Sequence, residues 1–323
     1  LKLARCNAGC MPTRRRALLA IGGAIALAGC TDDGDQPAAN PGDEPTTETN
    51  GTASNETTGP TNATTEVPAA VAPEVEAARQ ALDAALSAYA GFAGGDEPTI
   101  LDVTSLTDEY DHLTVLDRLG EADDALDDAE RRVDDATAGI ERLRQEYYLL
   151  TELAYAQWRG QLIGITADRY AGSTAKSSPT ISLLESRYRD IRDKQGSLTR
   201  RLSKADTYLT DAFQPEIGDR EQYRRKIDQL RAERGTFAVY LAAHEDFKPG
   251  VEQFNEATRQ LSNDRPVSAI ANARDAERSF EACRSTLQGA TAETLGPVTE
   301  AFRSGVDSSI AAARRLQKRA EGR

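Results

Sequence analysis

Between Val115 and Ala154, apolar residues recur at alternating steps of four and three: Val115, Leu119, Ala122, Leu126, Ala129, Val133, Ala136, Ile140, Leu143, Tyr147, Leu150 and Ala154. A seven-residue repeat with two apolar positions makes one stripe along an α-helix, whereas a strand would need alternation at every second residue. The spacing therefore predicts one long helix with a coiled-coil-type seam. Ala122, Ala129 and Ala136 occupy successive seam positions, so a partner backbone can come close there. Asp123-Asp124, Asp127-Asp128 and Asp134-Asp135 fall off the seam and read as a solvated face. None of these pairs lies in the glycine-turned ligand loop of a calcium site. Gly120 is expected to break the helix near its start. Near Gln157 the repeat shifts phase to Trp158, Leu162 and Ile165, and Gly172 to Pro179 closes the element.

The same logic extends over residues 73–323. Pro73 and Glu74 suit a helix start, and Val75, Ala78, Leu82, Leu86 and Tyr89 lead to a stop at Gly94-Gly95. A short extended piece from Thr99 to Val103 then leads to Thr104 or Ser105 as an N-cap, with Asp108 at capping-box spacing from Ser105. A third helix runs from Ile181 to Ala212. A fourth follows Pro215, from Tyr223 to His244, and Lys248-Pro249-Gly250 is expected to stop it. Shorter helices complete the chain: Val251 to Leu261, a turn at Asn263-Asp264, Pro266 to Leu287, and Val298 to Leu316. Long amphipathic helices joined by short Pro- or Gly-marked turns imply antiparallel neighbours. The fold class expected is all-α: an antiparallel, coiled-coil-like bundle of long helices with shorter C-terminal ones. The hairpin from Phe254 to Phe280 resembles a tetratricopeptide repeat in its placement of Ala257, Ala269, Ala276 and Phe280. The loop is about two residues too long for that family, and no tandem copy follows at its period.

Upstream of this body, Met11 is the only methionine. Arg14-Arg15-Arg16 follows it, and an apolar run from Ala17 ends at Leu27-Ala28-Gly29-Cys30. A positive stretch, a short apolar stretch and small residues at the end form the layout of an export signal. The run is about half of the roughly 20 residues a membrane span needs. Leu27, Ala28, Gly29 and Cys30 resemble the lipobox of exported prokaryotic lipoproteins, which implies cleavage before Cys30 and attachment of lipid to its thiol. Arg14 and Arg15 resemble a twin-arginine signal, read by a receptor for folded cargo, although Ala17 and Leu19 stand where that pattern usually has Phe and Lys. Residues 1–10 read as sequence ahead of the true start, and residues 11–29 as a lipoprotein signal peptide. Cleavage removes Lys2, Arg5, Arg14, Arg15 and Arg16 and no acid, taking the net charge from -13 to -18. Abundant acids, arginine in excess of lysine and this pairing of motifs resemble surface lipoproteins of salt-loving archaea, with an actinobacterial-type lipoprotein as the second source.

Residues 30–72 are rich in Thr, Asn, Asp, Glu, Gly, Pro and Ala and are expected to form a lipidated, disordered tether. A flexible coil of about 40 residues averages roughly 35 Å end to end. Asn50, Asn55 and Asn62 each begin an N-glycosylation triplet. A Thr-rich tract also makes such triplets by chance, and the pattern alone leaves both readings open.

No set of catalytic residues emerges. His112 and His244 fall on seam positions and read as core or boundary histidines, and His244-Glu245 has Lys248 where a zinc-protease helix needs its second ligand. Cys6 and Cys10 have no second ligand pair at zinc-finger spacing. No cofactor and no metal are expected, and the acidic charge argues against nucleic acid as a partner. Of the four cysteines only Cys30 and Cys283 survive cleavage, so no internal disulfide framework can form. Cys283, three residues after Phe280 and four before Leu287, is expected to face the core. Trp158 with Tyr147, Tyr148, Tyr155 and Tyr170 reads first as core filling and second as an aromatic groove. The leading functional expectation is a non-enzymatic, lipid-anchored protein at the cell surface. It would be held to the membrane through Cys30 and serve as scaffold or adaptor for another envelope protein. The alternative is a ligand-binding lipoprotein feeding a transporter, with its groove near Trp158.

Overall fold

The computed structural model describes residues 67–133, 137–175 and 179–323. Seven α-helices carry the fold among these residues: α1 (Ala72–Gly91), α2 (His112–Glu130), α3 (Ala138–Thr174), α4 (Ile181–Tyr208), α5 (Arg220–Ser262), α6 (Pro266–Thr286) and α7 (Gly296–Glu321). Two 3₁₀ turns, Leu287–Gly289 and Glu293–Leu295, join α6 to α7. No strand occurs among the described residues, and the class is all-α. No helix among them is long and apolar enough to cross a membrane.

Each consecutive pair of helices is antiparallel, as polar contacts at their two ends show. Arg187 near the start of α4 reaches Arg169 O and Ser173 Oγ late in α3, while Tyr208 at its end accepts from Gln145 early in α3. In α5 and α6, Asp246 accepts from Thr286 and Gln253 from Ser279. In α6 and α7, Arg314 bonds Glu277 and Glu281, and Arg284 pairs with Asp307. The helix α3 sits at the centre, against α1, α2, α4, α5 and α7. Its long apolar face explains why: Ile140, Leu143, Leu150, Leu153, Ile163 and Ala171 are all fully buried.

The uninterrupted seam over Val115–Ala154 is in fact two helices. The first, α2, ends at Glu130, the second, α3, begins at Ala138, and α2 folds back on α3. The repeat hides the reversal because both arms keep their stripe toward the same core: Val115, Leu119, Ala122, Leu126 and Ala129 on one side, Ile140, Leu143, Leu150 and Ala154 on the other. The acidic residues of α2 are likewise not simply solvated. Asp123, Asp127 and Glu130 converge on the Arg144 guanidinium of α3, which clamps the hairpin. Asp124 and Asp128 remain exposed. Gly120 does not break α2; it is exposed within it.

Three further elements differ from the sequence expectation. Lys248-Pro249-Gly250 does not stop a helix: α5 runs through it to Ser262, merging the two helices expected there. An interior proline costs about 3 kcal/mol, and here close packing opposes that cost. Gly250 lies beneath the Phe280 ring, where an added Cβ would sit 2.5 Å from a ring carbon. The glycine marks a helix crossing, not an end. Nor is Thr99–Val103 a strand leading to a cap at Thr104 or Ser105. Residues 92–111 form an irregular strap, and the true N-cap of α2 is Asp111, whose carboxylate accepts from Leu113 N at 3.0 Å. The turn at Asn263-Asp264 holds, with Asp264 in the left-handed region (φ 57°) that Asp tolerates. The helix α4 ends at Tyr208 rather than at Ala212.

The strap depends on two glycines one turn apart on α3. A Cβ at Gly160 would meet Ser105 Oγ at 2.5 Å, and one at Gly164 would meet the Ser105 carbonyl oxygen at 2.1 Å. Gly172, on the same helix, faces open space. Gly164→Ala is therefore expected to lower unfolding free energy by about 1–3 kcal/mol, as overpacking does. Gly172→Ala should be neutral or stabilise by about 0.5–1 kcal/mol. Urea denaturation of the two variants measures the contrast, and equal effects would contradict the close approach of the strap.

Candidate functional site

A cluster of buried polar side chains lines α3 and α5 where they face the strap. Lys226, Gln229 and Glu233 follow one face of α5 at steps of three and four; Gln157 and Gln161 are one turn apart on α3. Strap carbonyls with no helical partner must find donors once buried. Gln157 donates to Thr104 O at 2.7 Å, and Gln161 donates to both Thr107 O and Asp108 O at 2.9 Å. Lys226 Nζ donates to Val103 O and, at 3.2 Å, to Gln229 Oε1. Gln229 Nε2 donates onward to Glu233 Oε1 at 3.4 Å. Glu233 also accepts from the hydroxyls of Ser105 and Thr294, so it joins the strap to the α6–α7 connection.

Ser105, Lys226 and Glu233 are all at 0 % exposure. A serine, a lysine and a carboxylate are the residue types of a nucleophile site, but here each is engaged with protein groups out of reach of solvent. Burial pulls the Lys226 ammonium down to about 7, against the opposing charges of Glu233 and Asp102. Tyr89, whose ring lies 5.6 Å below Lys226 Nζ, is driven well above its ordinary range by burial and by Tyr110 and Glu233.

Two other polar centres have the same character. Glu146 of α3, fully buried, accepts the backbone N–H groups of Glu216, Ile217 and Gly218 at 2.8–3.1 Å and the Tyr223 hydroxyl at 2.7 Å. It holds the α4–α5 loop as a ligand would hold a nest of amides. His244 bonds the Tyr170 hydroxyl through Nδ1 at 2.8 Å and is stacked on Tyr188. Burial lowers its pKa. Sequence periodicity missed Glu146, Lys226 and Glu233 because they sit beside the apolar stripe. The only signal was their spacing on the same helical faces as core residues.

Trp158 is half-buried and packs against the core. Its indole is stacked on His112, with ring centroids 4.1 Å apart and planes within 11°, and the Arg159 guanidinium lies 4.1 Å from the ring. The signal residues Arg14 and Arg15, the lipobox Leu27, Ala28, Gly29 and Cys30, and the sequons at Asn50, Asn55 and Asn62 lie outside the described residues. No group of three or more His, Cys, Asp or Glu side chains suited to a metal ion occurs among the described residues. Cys283 is fully buried on α6, and burial, with Asp246, raises its thiol far above the usual range. No family model, no curated protein and no solved structure matches this chain.

Because the buried Lys226 ammonium gives up its proton more readily than the same group in the unfolded chain, the unfolded chain holds the extra proton from about pH 7 up to the ordinary lysine range. Stability from this group thus rises with pH across that window. From pH 7 to 9 the stability of wild type minus that of Lys226→Met should shift toward wild type by about 2–3 kcal/mol. Cys283 and the buried tyrosines pull the other way in both proteins and cancel in the difference. Urea unfolding at the two pH values measures it, and a constant difference would place Lys226 in solvent. Cys283, for its part, should react with an alkylating reagent only on unfolding, and Cys283→Ser should cost about 1–3 kcal/mol by burying a hydroxyl with few partners. Rapid labelling of the folded protein would contradict the burial.

Proposed function

We propose that this chain is a lipid-anchored protein of the cell envelope whose helical body acts as a non-enzymatic scaffold or adaptor. The observation that carries the reading of the body is the use of its buried polar groups. Lys226, Glu233, Glu146, Gln157 and Gln161 all hold irregular segments of the same chain. Such a pattern stiffens a long helical frame, and stiffness serves a body that positions other molecules.

The anchor rests on the order of motifs in the sequence: basic cluster, short apolar run, Leu27-Ala28-Gly29-Cys30, then a polar spacer. A single acyl-type anchor gives only marginal membrane binding, so retention calls for at least two chains on Cys30 or a second contact with the envelope. The adaptor reading supplies that second contact as a protein partner.

Cys30→Ser is expected to leave uncleaved or soluble protein without lipid mass. Intact-mass measurement of membrane and soluble fractions tests this, and recovery of the variant at its mature mass in the detergent-requiring fraction would remove the anchor from the proposal. Cross-linking on intact cells should recover one envelope protein in constant ratio with the wild-type chain. A chain that reaches the membrane yet cross-links to none would argue against the adaptor role.

A further inference from the structure

The apolar interior is not continuous. A large core fills the space from α1 to the middle of α7, and a small second core of Ala257, Leu261, Ala269, Ala273, Leu316 and Ala320 joins the ends of α5, α6 and α7. Phe254 packs on both. Beside Phe254 lies a cavity of about 230 Å³, with Val251 and Phe254 from α5, Phe280 from α6, Ala312 from α7, and Ala175 and Pro179 at the ends of the α3–α4 connection as apolar walls. The gap follows from residue size. Along this face α7 presents Ser308, Ser309 and Ala312, which are too short to reach the two phenylalanines. Just before them, Gly305 brings α7 so close to α3 that an added Cβ would sit 2.2 Å from Thr174 Oγ1. The helix is pinned at that crossing and cannot slide in to close the space.

The mouth of the cavity is cationic. Of two adjacent guanidiniums on α7, Arg314 bonds Glu277 and Glu281. Arg315 lines the cavity beside Ser308, and no acidic side chain among the described residues lies within ion-pair distance of it. An apolar interior with the Arg315 guanidinium at its opening, the one cation among the described lining residues, selects an amphiphile with an anionic end. A dry apolar cavity of about 150 Å³ holds a benzene-sized guest, so this one holds a body of about eight to ten heavy atoms. That excludes a two-chain lipid as a whole.

We propose that the cavity between α5, α6 and α7 is a binding site for a small amphipathic carboxylate, with its carbon body against Phe254 and Phe280 and its carboxylate on Arg315. The fork of the guanidinium accepts a carboxylate through two parallel N–H···O bonds. Ser308, exposed at the rim, supplies a further hydroxyl donor. The site does not depend on the scaffold reading and would serve equally in a body that carries a small acid outside the membrane.

The test is calorimetric titration of the full chain with three probes of equal length: octanoate, octanol and octylammonium. Octanoate should bind one to one and saturably, and octanol and octylammonium should each bind at least about tenfold more weakly. Arg315→Gln, at an exposed position, should bring octanoate down to the level of octanol and leave octanol unchanged. Ala312→Leu, which fills the cavity, should abolish both. Should that variant prove unfolded by circular dichroism, Ser308→Leu at the rim takes its place. No saturable binding, equal binding of the three probes, or wild-type octanoate affinity in both Arg315→Gln and the filling variant would each overturn the proposal. A one-to-one complex weakened to the octanol level in Arg315→Gln and abolished in the filling variant is not explained by general adsorption of alkyl chains, and failure of the scaffold reading would leave it untouched.

Discussion

A stretch of irregular backbone buried between helices carries its own unpaired carbonyls inward, and each must meet a donor there. The strap at 92–111 imposes that constraint on this fold. It crosses α3 over Gly160 and Gly164 and lies against α5. The helices that receive it have had to place amide and ammonium groups on faces that would otherwise be apolar. Lys226 is the extreme case: a fully buried amine whose hydrogen-bond partners are a backbone carbonyl and a side-chain amide. Desolvating a charge is costly unless it is well bonded. Holding the strap is what the cluster is placed to do, and Glu233, joined to it through Gln229, extends the same hold to Thr294 and the segment before α7.

The helical class, and the burial of nine of the twelve seam residues between Val115 and Ala154, were legible from spacing alone, because apolar residues at this period mark one face of a helix. What spacing could not show was direction. Seam positions from Val115 to Ala154 satisfy one long helix and a folded hairpin equally well, since each arm of a hairpin keeps its stripe toward the shared core. The reversal was carried by Arg144, whose partners Asp123, Asp127 and Glu130 are 14–21 residues away in sequence. Pro249-Gly250 misled for a related reason: local propensity favours a break, but contact of Gly250 with Phe280, thirty residues on, rewards continuity. In both places a tertiary contact outweighed a local signal.

The polar centres were less legible than the core. Glu146 looks like any helix-surface glutamate next to Tyr147, and only the fold shows three loop amides and the Tyr223 hydroxyl converging on it. Gly218 belongs to the same arrangement, since a side chain there would collide with the Tyr223 ring. Conversely, Trp158 stood out in the sequence and proved to be covered by His112 and Arg159. Rarity drew attention to the indole, while ordinary residue types carried the buried chemistry.

These centres also bear on how the described residues, with no disulfide among them, keep their connections in place. Cys283 is the one cysteine among the described residues, and it is fully buried and unpaired. A disulfide would restrain the unfolded chain; hydrogen bonds from buried side chains act on the folded state instead, and each is lost when its segment leaves. The strap has at least four such attachments to α3 and α5, and the α4–α5 loop has three to one carboxylate. Detaching either segment would leave several buried groups unpaired at once, at about 1–3 kcal/mol apiece. Local opening at these connections is therefore coupled to loss of the bundle itself. Near Phe254 the packing is interrupted by the cavity, and the side-chain bond beside it is the one from Ser279 to Gln253 at 3.3 Å. The stiffness of the body is thus concentrated around α3 and the first half of α5. At the junction of α5, α6 and α7 the frame instead leaves a cavity of about 230 Å³ beside Phe254 and Phe280.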